Sequence, residues 1–316
     1  MKTLLTDSIP KAATFIKKGQ VVAFPTETVY GLGANVYDEK AIKKIFKAKG
    51  RPKDNPLIVH IASKKDIQVL VKEIPETAKK IISKFFPGPI TIILKKNEII
   101  SNSVTAGLDT IAIRMPSSKI ARDLIKICGV PIAAPSANLS GSPSPTSFMH
   151  VLNDFRGKIS CILIGPNAKY GLESTVIDCT SAVPQILRPG VITLEQLRKI
   201  DKRIKYKSKT TKIKSPGQKY KHYAPKAQLQ ITNHKLQIES IKDNSAFIGL
   251  TKSIGNNFAI KKICKDMNDY AKNLFSFFRK CDEFGISIIY AEKVTEKGIG
   301  LAIMNRLKKA AFTVKS

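Results

Sequence analysis

Thr26, Glu27 and Thr28 follow an apolar run over residues 21–24 and the break at Pro25, so two hydroxyls and a carboxylate stand where a buried strand stops. Ligands of open α/β sheets gather just outside such strand ends. Lys49 and Arg51 flank Gly50 ahead of Pro52, leaving two cations where a helix must end. His60 stands in the next apolar run, residues 57–62. Hydroxyls, cations and a histidine at element ends suit an anionic ligand. Arg114 lies inside the apolar run 111–115. A guanidinium buried there is costly unless paired, so a buried carboxylate or a bound anion is expected beside it. Arg188, Ser136, Ser144 and Ser174 extend the same chemistry, since Arg forks, lysines and hydroxyls clamp phosphates and carboxylates without a covalent step.

Each of these residues also has a plain structural reading. Lys49 and Arg51 complement a helix C-terminus. Thr26 and Ser174 can cap strand ends, His60 can bond a backbone carbonyl in the core, and Ser136 and Asn138 suit a proline-rich turn. Gly298 and Gly300 can approach a phosphate or simply allow tight packing. Other catalytic plans find no support. There is no Gly-x-x-x-x-Gly-Lys-Ser/Thr loop, no HExxH helix, and Gly31-Leu32-Gly33 is not a dinucleotide fingerprint. The histidines at 60, 150, 222 and 234 lack metal-ligand spacing. The five cysteines form no CxxC pair and read as buried free thiols. Lys plus Arg is 54 against 24 acidic residues, a net charge of +30 that favours polyanions such as RNA and nucleotides, or marks lysine-rich solvated surfaces.

The elements that must position these residues alternate in α/β fashion. Ala41, Ile42, Ile45 and Phe46 line one face of a helix over 39–49 that delivers Lys49. Helices are also expected over 9–18, 67–71, 75–86, 119–128, around 149–152 and over 194–200, with strands over 90–94, 111–115, 131–134, 159–164, 175–177 and 185–187. Residues 198–226 hold twelve Lys or Arg against one Asp, with SPG at 215–217, and read as a linker. Beyond it, strands over 228–232, 246–250 and 286–291 alternate with helices bearing the stripe Met267, Tyr270, Ala271, Leu274, Phe278 and Cys281, then 301–311. This pattern predicts a small parallel-sheet domain. The N-terminus has no continuous apolar stretch of signal-peptide type and no run reaches membrane-spanning length, so a cytoplasmic protein is expected.

FPTETVYGLG at 24–33, KAKGRPKDNPLIVHI at 47–61, RMPS at 114–117, PIAAPSANLSG at 131–141, ESTVID at 173–178, LRPG at 187–190 and SPGQKYKHYAP at 215–225 occur in one order. Together they closely resemble the YrdC/Sua5 family of L-threonylcarbamoyladenylate synthases, in its long, two-domain form. The resemblance implies a twisted mixed-sheet domain over 1–200 around a basic cleft, a linker over 201–227 whose SPGQKYKHYAP segment returns across the cleft as a lid, and a smaller Rossmann-like parallel-sheet domain over 228–316. It implies condensation of L-threonine, bicarbonate and ATP, with Mg²⁺, to threonylcarbamoyl-AMP and pyrophosphate, for modification of adenosine 37 in tRNA. By motif, Thr26, His60, Arg114, Ala134 and Ser174 would surround threonine. Lys49, Arg51, Thr110, Ser136, Ser144 and Arg188 would line the nucleotide, with Tyr223 covering it. No metal-binding or nucleophilic side chain is implied; tRNA or tRNA-modifying enzymes are the partners that would follow. The +30 charge alone would also fit an RNA-binding module, and the fold would also fit a carbamoyltransferase using carbamoyl phosphate.

Overall fold

The computed structural model describes residues 2–207, 223–233, 244–252 and 257–311. Among these, the first unit supplies strands β1 (Leu4–Thr6), β2 (Val22–Phe24), β3 (Gly31–Asn35), β4 (Ile58–His60), β5 (Ile90–Lys95) and β6 (Thr110–Arg114). It continues with β7 (Ile132–Ala134), β8 (Cys161–Leu163), β9 (Thr175–Asp178), β10 (Gln185–Arg188) and β11 (Lys205–Tyr206). The second supplies β12 (Gln228–Thr232), β13 (Ser245–Gly249), β14 (Ile260–Ile263) and β15 (Ile288–Glu292). Helices α1 (Ile9–Lys17), α2 (Glu39–Lys49), α3 (Asp66–Leu70), α4 (Glu76–Phe85), α5 (Asn102–Thr105), α6 (Lys119–Cys128), α7 (Phe148–Phe155) and α8 (Leu194–Arg198) belong to the first unit. The second unit has α9 (Met267–Glu283) and α10 (Ile299–Ala310).

The first sheet has the order β1-β8-β2-β3-β7-β4-β6-β5-β9-β10-β11 and mixes parallel with antiparallel neighbours. The strands alternate their side chains between two faces. Val22, Phe24, Ile132, Ala134, Cys161 and Leu163 pack under α1 and α6, whereas Ala23, Ala133, Val59 and Ile113 join the larger core beneath α2 and α4. Ile58 is the cross-strand partner of Ala134 and so shares the α1/α6 face. The α1/α6 core ends before β4. Ile58, Ile93, Ala112 and Val176 form a separate small cluster on that face, and the gap is the floor of a cleft.

The second sheet, β12-β15-β13-β14, is parallel throughout, as the alternation of strands and helices predicted. The stripe on α9 supplies Tyr270, Ala271, Leu274, Phe278 and Cys281 to its core. All five cysteines are buried and unpaired. No described helix is long and apolar enough to cross a membrane.

Three features escape hydrophobic patterning. β11 pairs with β10, so the first sheet reaches into the lysine-rich stretch past residue 200. β1 is a short edge strand whose Leu4 and Leu5 are exposed. β3 carries glycines where a strand pattern wants side chains. A Cβ on Gly33 would sit 2.5 Å from Ile132 Cγ2 and 2.7 Å from Phe24 Cε1, so the glycine serves close packing rather than a turn. Gly33→Ala is therefore expected to cost about 1–3 kcal/mol through overpacking. Urea unfolding should show a lower midpoint at unchanged slope; an unmoved midpoint would mean that Phe24 and Ile132 have room to yield.

Candidate active-site cleft

Asp38 caps α2, and Gly50 ends it in a left-handed conformation with φ 61°. Lys49 is thereby turned inward. Its Nζ donates to the carbonyl oxygens of Ser136, at 2.7 Å, and Asn138. Burial, reinforced by Arg51, pushes its ammonium pKa well below the ordinary value. Arg51 just beyond donates from Nη2 to Asn55 O at 3.2 Å and Pro56 O at 3.1 Å, and burial pushes it down to about 10.

Parallel pairing of β4 and β6 sets His60 beside Arg114 at their C-terminal ends. The carboxylate expected near Arg114 is Glu27, whose Oε1 lies 2.9 Å from Arg114 Nη2. Burial alone would push the Glu27 carboxyl up, but Arg114 and backbone hydrogen bonds, that of Ser117 foremost, together outweigh it and hold it below the usual range. Arg114 Nε has no hydrogen-bond partner among the described residues. The His60 ring, with Nδ1 3.1 Å from Ile58 O, is pushed down to about 3 by burial and by Arg114, so it is neutral at physiological pH.

The opposite wall is built on a bulge. β10 pairs Ile186 with Ile177 but Arg188 with Val176, a register shift that brings Arg188 to the cleft face. Arg188 donates through Nε to Ser174 O and through Nη2 to Ser174 Oγ, both at 3.1 Å. Glu173 accepts from Ser144 Oγ at 2.5 Å on Oε1 and from Arg306 Nε at 2.9 Å on Oε2. Burial would raise the Glu173 carboxyl; Arg306 and Arg188 outweigh it and keep it ionised. Tyr223 closes this side, its hydroxyl raised by burial and hydrogen-bonded to Arg188.

Of the residues anticipated from sequence, Thr26, Lys49, Arg51, His60, Arg114, Ala134, Ser136, Ser144, Arg188 and Tyr223 line one cleft, which holds about 730 Å³ of space partly open to solvent. Thr110 does not line it. It opens β6, four residues from Arg114 and roughly 13 Å away along the strand, paired with Lys95. Ser174 sits behind Arg188, 2.7 Å from Thr91 Oγ1, rather than in the wall. Thr26 also performs its plain role, donating to Val29 O at 2.6 Å and accepting from Thr28 N. Residues 215–222 of the expected lid lie outside the described residues. Glu173 and the turn at 138–142 were missed as cleft residues. Glu173 stands in the ESTVID block, but its partner Arg306 is 133 positions away and no local spacing connects them.

Residues 14–190 match the Sua5/YciO/YrdC family model, described as "Telomere recombination", and residues 192–312 match the model described as "Threonylcarbamoyl-AMP synthase, C-terminal domain". The chain belongs to the Sua5/YciO/YrdC family. A relative from Pyrococcus abyssi, named threonylcarbamoyl-AMP synthase, is 48% identical over 95% of this chain and 93% of its own. One of the same name from Bacillus subtilis is 43% identical over 96% of this chain and 92% of its own. The fold of this Sua5-type chain is similar to that of P. abyssi Sua5 complexed with L-threonine, with a TM-score of 0.91 and 44% identity over 98% of each chain.

The buried imidazoles give a pH signature. His60 is held near 3 and His150, on α7, near 4, both mainly by burial. The unfolded chain protonates these rings near pH 6.5 and the folded chain does not, so stability should fall as pH drops from about 6.5 toward 4. In ¹⁵N NMR of the folded protein, neither ring should titrate between pH 8 and 5. A His60 titration midpoint near 6.5 would show that the ring is hydrated.

Proposed function

We propose that this chain is an L-threonylcarbamoyladenylate synthase, condensing L-threonine, bicarbonate and ATP to threonylcarbamoyl-AMP and pyrophosphate. The observation that carries the reading is the convergence of Lys49, Arg51, Arg114 and Arg188 on one cleft in which the nearby carboxylates Glu27 and Glu173 are already paired. Such a cleft has positive charge to spare for a triphosphate and an amino-acid carboxylate. The threonine complex of a fold this similar supports the second ligand.

In this reading Arg114, Thr26, His60 and Ala134 surround threonine, with Arg114 sharing its guanidinium between Glu27 and the substrate carboxylate. Lys49, Arg51, Ser136, Ser144 and Arg188 hold the nucleotide, Tyr223 borders it, and Ser174 acts by bracing Arg188. Threonine's amine attacks bicarbonate, forming an N–C bond and losing water. The resulting carbamate oxygen attacks the α-phosphorus of ATP, and the bond to pyrophosphate breaks. The chain's contribution is positioning and charge neutralisation. Mg²⁺, which this reading calls for, would be carried on the phosphate oxygens of ATP as part of the substrate. The product would serve modification of tRNA, with tRNA-modifying enzymes as the consumers.

Pyrophosphate release should need threonine and bicarbonate together. Serine should be roughly 10–200-fold poorer, the usual value of one methyl in a pocket. Equal rates with serine, or full turnover without bicarbonate, would overturn the assignment.

Arg114→Ala should cost on the order of 2–5 kcal/mol in threonine use. Glu27→Gln/Arg114→Met tests the same point without leaving a buried carboxylate alone. Unchanged threonine KM and kcat in folded protein, checked by circular dichroism, would make Arg114 purely structural.

A further inference from the structure

Arg306 is completely buried, yet it does not line the cleft. It projects from α10 of the second unit into the wall of the first. Its Nε donates to Glu173 Oε2 at 2.9 Å and its Nη1 to Pro189 O at 2.7 Å, the carbonyl next to Arg188. Its guanidinium carbon lies 5.5 Å from the centre of the Tyr223 ring. Tyr223 in turn stacks on Phe275 of α9, with ring centres 5.3 Å apart. One side chain of the second unit thus touches the carboxylate that holds Ser144, the backbone that carries Arg188, and the aromatic ring that closes the cleft.

We propose that Arg306 is a positioning residue of the nucleotide site: it neutralises Glu173, so that this carboxylate can anchor Ser144 without repelling phosphate or capturing Arg188. The proposal rests on the reading of the cleft as a synthase site. Glu173 is the one acidic side chain that lines the cleft among the described residues. Its Ser144-facing oxygen is fixed by a 2.5 Å bond, so in this reading its charge would face the phosphates. Without Arg306 the cleft cation left acting on the carboxylate is Arg188, which would turn from the ligand toward it. A simple fastening between the two units would need no such placement, because Arg279 of α9 already fastens them. Arg279 donates to both carboxylate oxygens of Asp154, at 3.1 and 2.8 Å, and to Pro143 O. The second unit therefore belongs to the site, supplying the counter-charge that leaves the first unit's cations available.

The test uses the full chain, with ATP and threonine affinities measured separately by calorimetry and pyrophosphate release measured beside them. Arg306→Met should weaken ATP by about tenfold or more while moving threonine less than about twofold, because one uncompensated charge faces only the phosphates. Arg306→Lys should fall between. The decisive variant is Glu173→Gln/Arg306→Met, which removes both charges and keeps an acceptor for Ser144; it should recover most of the ATP affinity. Equal losses for both substrates, unchanged ATP affinity in Arg306→Met, or a double variant as poor as the single would overturn the proposal and make Arg306 a fastening. If Arg306→Met does not fold, the double variant decides. Folded with ATP affinity within about threefold of wild type, it supports charge compensation; folded without ATP binding, it refutes it. A wild type that binds ATP but releases no pyrophosphate overturns the synthase reading alone, since ATP affinity still decides the role of Arg306. A wild type that binds no ATP overturns both.

Discussion

Positive charge must be kept buried yet available at this cleft before any anion arrives, and an uncompensated buried cation is costly. The protein meets that constraint in two ways. Carbonyl oxygens take part of the load: Ser136 and Asn138 for Lys49, Asn55 and Pro56 for Arg51, Ser174 for Arg188. Carbonyl dipoles stabilise a cation without cancelling its charge. Full negative charges are used sparingly and each is paired, Glu27 with Arg114 and Glu173 with Arg306. Burial lowers the Lys49 ammonium pKa well below its ordinary value, as expected of a cation whose compensation is incomplete. An anionic ligand would complete it.

Much of the local fold follows from that need for free carbonyls. Backbone acceptors can be aimed at a side chain only where the chain leaves its ladders, so the cations are met by turns. Asn138 ties the 136–142 turn together, accepting from Ser136 Oγ at 2.6 Å and donating to the carbonyls of Leu139 and Ser142. The bulge at 186–188 likewise gives up regular pairing to re-aim Arg188. Gly190 follows because the chain there runs against the backbone of 173–175; a Cβ would lie 2.4 Å from Thr175 N.

The elements that carry these residues were legible in the sequence wherever a side-chain period ran long enough. Helix α2 has the predicted limits, 39–49, and the stripe on α9 reads directly because each residue reports its own face. Arg114 was legible as a problem, a charge in a strand, and left open whether a carboxylate or a ligand answered it. Glu27 supplies the carboxylate within the same stretch that opened the reading. Thr110 came from motif alone and Ser174 from hydroxyl chemistry as well as motif, and neither lines the cleft. Glycine strands such as β3 stayed hidden because their packing partners, Phe24 and Ile132, belong to other strands. Glu173 stayed hidden for the same reason at longer range. A contact made across 133 residues leaves no periodic trace.

The interface between the units shows why the second cannot be treated as an accessory. Val29 and Leu172 of the first unit pack in the same apolar cluster as Tyr223, Phe275 and Leu274. Gly171, with φ 70°, allows the chain beside Leu172 to meet the backbone of Lys272, where a Cβ would lie 2.2 Å from the carbonyl oxygen. Both insertions come from segments that also build the cleft. Val29 is the residue to which Thr26 is tied, and Leu172 precedes Glu173. Tyr170 N donates to Glu27 O at 2.9 Å, joining the two segments behind the site. Apolar contact thus provides adhesion where Val29 and Leu172 enter the second core, and buried arginines provide placement where charge must be balanced. A displacement of the second unit large enough to free Leu172 would also move Glu173, and with it Ser144. Adhesion and active-site geometry are therefore one mechanical system in this chain.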